Sequence, residues 1–277
     1  MNLKTLATDI SIIYKKNPKV EAVLLAGSVS RNWEDAFSDI ELLIFWKEEP
    51  TDEDRKTPIQ ILNGNIIDFH AFEEDEWAET YITKNVKLEI SSFLTKTIER
   101  VIDEVILNFE TSFDLQCLIA SIYYGVPLYE EDLISKLKER VSEYPKELSE
   151  AMILEHIDFG NRWNNRETLL SRKDWLMFYK VVVSVQTSIM ALLFGLNRQY
   201  VIHPGFKWQK NTLDTMKKKP ENILERLELI FTRKPEDGLK ELELIIQEIY
   251  QLIQDEYPNI DLSTYINKSA FLRPKRI

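Results

Sequence analysis

The stretch LLAGSVSRNWEDAFSDIELLIFW, residues 24–46, holds two short apolar runs, and the second opens on two carboxylates, Asp39 and Glu41, separated only by Ile40. Short runs rich in branched and aromatic residues, bounded by polar turn residues, read as inner strands. Side chains alternate across a strand, so Asp39 and Glu41 share one face while Ile40 enters the opposite layer. Like charges so placed repel, and a divalent cation between them offsets the cost. Magnesium suits such a pair, because it takes hard oxygen ligands from one or two carboxylates and completes its shell with water and phosphate oxygens. Where the first run ends, Gly27 and Ser28 turn the chain. Backbone N–H groups and a hydroxyl at such a turn can hold a phosphate, and glycine lets it approach closely. Arg31, three residues after Ser28, reaches the same phosphate or pairs with Glu34 or Asp35 as surface charge.

On either side of this stretch the pattern is a small sheet domain followed by helices. Leu3, Leu6, Ile10, Ile13 and Tyr14 recur at helical spacing until Pro18 ends the run. NIIDFHAF (65–72) is a third strand candidate, and WAETYIT (77–83) and VKLEISSFL (86–94) are two more, joined across Lys84 and Asn85. FEEDEWAETY (72–81) also fits a helix. From about Thr95 the apolar period is helical nearly to the end. The expected fold class is therefore α+β: a mixed-sheet domain over residues 1–110, then an all-α bundle over 111–277. The apolar run from Trp175 to Leu196 contains Lys180, Ser184, Gln186, Thr187 and Ser188, which favours a bundle-centre helix over a membrane span.

A chain of 277 residues with 44% apolar content can build two cores. Its net charge of -11 argues against a nucleic-acid partner, whose binding is driven by lysine and arginine, and welcomes a cationic ligand. Solvated helix faces serving solubility would show the same charge. The single cysteine, Cys117, sits in an apolar helical pattern and cannot make an internal disulfide or the usual structural zinc site. The amphipathic start has no signal-peptide pattern, so a cytoplasmic protein without a membrane partner is expected.

Between its apolar strands, GSVSRNWEDAFSDIEL resembles the signature of the nucleotidyltransferase superfamily with the DNA polymerase β-like palm, where a strand ends in Gly-Ser and the next carries Asp-x-Asp or Asp-x-Glu. The resemblance covers roughly residues 20–93. A palm followed by helices further resembles, in layout alone, the bacterial aminoglycoside and lincosamide adenylyltransferases. It implies Asp39 and Glu41 as ligands of Mg2+, with Gly27, Ser28 and Arg31 on the phosphates of ATP or another nucleoside triphosphate. It also implies a third carboxylate on a neighbouring strand, as metal ligand or as base for the acceptor hydroxyl. Glu89 and Asp68 compete for that place. The alternation of Val86, Leu88 and Ile90 packs one face of its strand and leaves Glu89 on the other. Plain structural roles also fit, with Glu89 on the solvent side of an edge strand and Asp68 ending one.

The same resemblance implies a lysine from the helical half over the triphosphate, and Lys207 in VIHPGFKWQKN (201–211) matches by position. A solvated loop lysine above a packed Trp208 fits equally. Glu155, His156, Asp158, Asn161, Arg162 and Trp163 would form a wall for a cationic aminoglycoside, although a capped helix end produces the same residues. The implied reaction is transfer of AMP to a hydroxyl of a small, cationic molecule, an antibiotic by resemblance. Nucleotidylation of a protein or tRNA, including the toxin-antitoxin type, and a non-catalytic nucleotide-binding palm are the alternatives. Monomer and homodimer both stay open.

Overall fold

In the computed structural model, which describes residues 2–274, helix α1 (Leu3–Tyr14) is capped by Asn2, whose side chain accepts from the Thr5 N–H at 3.0 Å. Strand β1 (Val20–Leu25) follows, then a four-residue helix, α2 (Gly27–Ser30), and strand β2 (Ile40–Trp46). Helix α3 (Asp52–Ile61) starts at a capping box in which Thr51 and Asp54 satisfy each other's backbone N–H groups. Three strands come next: β3 (Asn65–Phe69), β4 (Trp77–Thr83) and β5 (Val86–Leu94). Lys84 (φ 51°) and Asn85 (φ 61°) make the two-residue turn of the β4–β5 hairpin, where both central residues must be left-handed. The helical alternative for 72–81 gives way to β4 because Trp77, Glu79, Tyr81 and Thr83 are buried in strict alternation.

After α4 (Thr95–Ile106) and α5 (Phe113–Tyr124), a short strand, β6 (Val126–Tyr129), pairs with β1, and α6 (Glu131–Arg140) follows. The sheet order is β3-β4-β5-β2-β1-β6, antiparallel throughout except for the parallel β2–β5 pair, which makes the sheet mixed. The sequence reading ends the sheet domain at 110 and expects only helices beyond it. The first compact unit instead runs through Asn108 and takes up Leu115–Glu143, because the sheet draws its sixth strand from there. Pro127 obscures β6 in the sequence, yet β6 is an edge strand, the position where proline is tolerated.

One face of the sheet is sealed. Val23, Leu25, Ile40, Leu42, Ile44, Trp46, Tyr81, Leu88 and Ile90 form a core with Leu6, Ala7, Ile10 and Tyr14 of α1 and Ile59 of α3. Inside this layer lies a charged pair. Arg55 donates from Nε and Nη2 to Glu79 Oε2 at 2.9 and 2.8 Å, and from Nη2 to the carbonyls of His70 (2.7 Å) and Ala78 (3.0 Å). Its guanidinium also stacks over Phe69 at 4.1 Å. Burial pushes the Glu79 carboxyl up to about 7, against the pull of Arg55. On the opposite face Ala22, Leu24, Leu43, Phe45 and Phe93 are buried, while the ends of β2 and β5 carry acidic groups.

The second unit comprises Phe109–Asp114 and the chain from Tyr144 onward. It contains α7 (Lys146–His156), α8 (Gly160–Trp163), α9 (Arg166–Arg172), α10 (Trp175–Asn197), α11 (Gln209–Thr215), α12 (Ile223–Thr232), α13 (Pro235–Glu256) and α14 (Ser263–Ala270). By length and composition α10 could cross a membrane; here it packs against α7, α9 and α13, with Ile189 to Leu196 all buried. Ser149 of α7 donates to the Gly195 carbonyl at 2.6 Å, and Gly195 sits close against Met152, a fit that needs a small residue.

Candidate active site

The parallel ladder pairs Ile40 with Leu88, Glu41 with Glu89 and Leu42 with Ile90. Residues opposite one another share a face, so Glu41 and Glu89 stand side by side, and Asp39, two residues before Glu41, joins them. One oxygen from each of the three carboxylates lies within 4.8 Å of the others, and all three side chains are half-buried. Hard anionic oxygens at this separation are a donor set that fits magnesium.

Gly27 closes the site from β1. It has φ +64°, a backbone conformation that favours glycine, and a Cβ built there would displace the Glu41 carboxylate. The turn is tied to β2, because the Ala26 N–H donates to the Glu41 carbonyl at 2.9 Å. Ser30 Oγ and Arg31 Nη1 both donate to the Gly27 carbonyl, at 2.8 and 3.2 Å. Ser28 is buried at the start of α2.

Arg31 makes neither of the surface pairs considered for it. Asp35 instead accepts from the Phe37 N–H and from Ser38 Oγ, ordering the loop before Asp39. The Arg31 guanidinium lies over Tyr124 (5.1 Å) and Trp33 (5.8 Å), and its Nε is buried without a hydrogen-bond partner. Burial pulls its pKa below the usual value, and the nearby Glu41 charge opposes that pull.

Lys87 completes the array. The register that aligns Glu41 with Glu89 places Lys87 beside Asp39, and its Nζ contacts Asp39 Oδ2 at 3.3 Å and also Glu89 Oε1. The Glu89 and Asp39 carboxylates hold the ammonium above the ordinary lysine value.

Of the two third-acid candidates, only Glu89 belongs to the cluster. Asp68 pairs with Thr80, which pairs with Glu89, so it lies on the same face but two strands away, roughly 10 Å by strand spacing. It is exposed on the edge strand β3. Lys207 is an exposed loop residue of the second unit, just before α11. The polar patch around Asp158 is a capped helix boundary: Asp158 accepts from the Gly160 N–H at 2.8 Å and pairs with Lys268, while the buried Trp163 donates to the Ser269 carbonyl at 3.0 Å. His156 stacks on Phe113 at 5.0 Å.

Sequence reasoning missed Lys87, Trp33 and Tyr124. For Lys87 a signal existed, since it lies two residues before Glu89 and must share its face.

Residues 112–209 match the family model described as a domain of unknown function, DUF4037. No curated protein matches the chain by sequence. Among solved structures, the chain is similar to a nucleotidyltransferase-like protein from Exiguobacterium sibiricum 255-15, with a TM-score of 0.43, 14% identity, and coverage of 95% of this chain and 78% of that one.

Proposed function

We propose that this chain is a magnesium-dependent nucleotidyltransferase that moves a nucleoside monophosphate, AMP from ATP, onto a hydroxyl of a small cationic acceptor. The observation that carries this reading is the cluster of Asp39, Glu41 and Glu89, with the Glu41 carboxylate packed against Gly27 at the start of α2. All the residues of the proposed site belong to the first unit.

Gly27 and Ser28 seat the terminal phosphates at the start of α2, and Arg31 adds positive charge on the same turn. Asp39, Glu41 and Glu89 hold the ion, which when bound neutralises charge on the triphosphate and on the pyrophosphate that leaves. Glu89, whose side chain is 45% exposed, takes the proton of the acceptor hydroxyl. The acceptor oxygen forms its bond to the α-phosphorus as the bond from that phosphorus to the bridging oxygen breaks, and pyrophosphate departs with the electron pair. The net charge of -11 supports a cationic acceptor over a polyanionic one.

Incubation with magnesium, α-labelled ATP and a panel of aminoglycosides and other amino-bearing alcohols tests the reading. A nucleotide-sized mass gain on a small molecule, with equimolar pyrophosphate, is expected. Glu41→Gln should lower the rate on the order of 10²–10³-fold or more while the melting temperature holds. Label appearing on protein instead overturns the small-molecule acceptor, and no pyrophosphate from any acceptor overturns the reaction.

A further inference from the structure

Three carboxylates on one sheet face invite two divalent ions, yet the strand that delivers Glu89 also delivers a cation. Lys87 Nζ spans Asp39 Oδ2, at 3.3 Å, and Glu89 Oε1. It does so from a fixed register position, since residues 39 and 87 flank the Ile40–Leu88 pair. The third acid, Glu41, is packed with its carboxylate against Gly27. Two divalent ions would bring four positive charges to three carboxylates that already share a lysine. With no nucleotide bound, one divalent ion plus Lys87 brings three, which balances the carboxylates alone. An ammonium is a compact point charge with three donors on a flexible stem, so it can hold two carboxylates together.

We propose that Lys87 stands where a two-ion site would place its second metal, so that this cluster binds a single divalent ion and Lys87 supplies the remaining positive charge. The inference rests on the metal-dependent reading above. Lys87 is then a positioning residue: it keeps Asp39 and Glu89 at a fixed separation and blocks the second ion from the oxygens it occupies. Its removal should open that place to a second ion.

Counting bound Mn2+ by electron paramagnetic resonance on the full-length chain tests this, with Mn2+ alone and with Mn2+ plus a non-hydrolysable ATP analogue. The wild type should bind one Mn2+ per chain with an uncoupled spectrum, and Lys87→Met should bind two. The two would show dipolar coupling, as ions about 3.5–4 Å apart do. Lys87→Arg, which keeps the charge, should stay at one. Two coupled ions in the wild type, or a single ion in Lys87→Met, overturn the role given to Lys87 and leave the metal site standing. No bound Mn2+ in either protein, or a count that Glu41→Gln leaves unchanged, overturns the metal site and the inference with it. Lys87 is 43% exposed and its side chain faces the open array, so the methionine variant should melt close to the wild type.

Discussion

Glu79 and Glu89 lie on neighbouring strands of one sheet and meet opposite fates. Glu79 points into the sealed face, is 1% exposed, and is matched by a guanidinium held over Phe69. Glu89 points to the other face, is 45% exposed in its side chain, and is crowded by two more acids with a single lysine between them. The first arrangement spends its charges on holding α3 to the sheet. The second leaves net negative charge in reach of solvent, which a structural role does not need and an ion-binding role does.

The sharpest way to break this contrast is to remove one charge from each face. Arg55→Met should cost about 3–5 kcal/mol in chemical denaturation, because it strands a buried carboxylate. Glu89→Gln on the open face should change stability by no more than about 0.5 kcal/mol, since relieved repulsion among half-buried acids offsets the lost Lys87 contact. Equal costs would mean that the acid cluster is a structural network.

The pH dependence isolates the sealed face. Glu79 has its pKa raised to about 7 in the folded chain, from an ordinary 4.5. Between those values the folded state keeps a proton that the unfolded chain has lost. Stability should therefore fall as pH rises through that window and level off above it. Glu79→Gln should flatten the slope, as read from denaturation midpoints at a series of pH values. A slope that survives the substitution would place its origin in another group.

A smaller effect is expected at Gly27. Alanine there must adopt a positive φ and meets the Glu41 carboxylate, so a loss of about 1–2 kcal/mol is expected from the backbone. Displacing Glu41 should weaken Mn2+ binding at the same time. Loss of stability with unchanged Mn2+ affinity would detach Gly27 from the site.

Much of this was legible from residues 24–46. Two apolar runs with a Gly-Ser turn and a spaced pair of acids define β1, α2 and β2, and alternation in VKLEISSFL places Glu89 away from the core. What the chain does not display locally is strand order. Asp68 and Glu89 are each an acid within an apolar strand, and alternation alone only leans toward Glu89. The order β3-β4-β5-β2 decides between them, by inserting β4 and β5 between Asp68 and Glu41. Lys87 was hidden for a related reason, because a lysine on the solvent side of a strand reads as solubility until its neighbour across the ladder is known. Glu79 inverted the usual expectation for a charge, and its partner, Arg55, lies 24 residues earlier in a helix. β6 is four residues long and contains proline, too little pattern for a strand to announce itself.

The parallel register of β2 and β5 also governs when the site comes into being. Glu41 and Glu89 touch in space but are separated along the chain by α3, β3 and β4, so a nascent chain that has formed the β1–β2 pair presents Asp39 and Glu41 with no third acid. The completing strand brings Glu89 and Lys87 together. The last negative charge and the cation that tempers it thus arrive on one strand, so the pairing that completes the cluster also supplies its counter-charge.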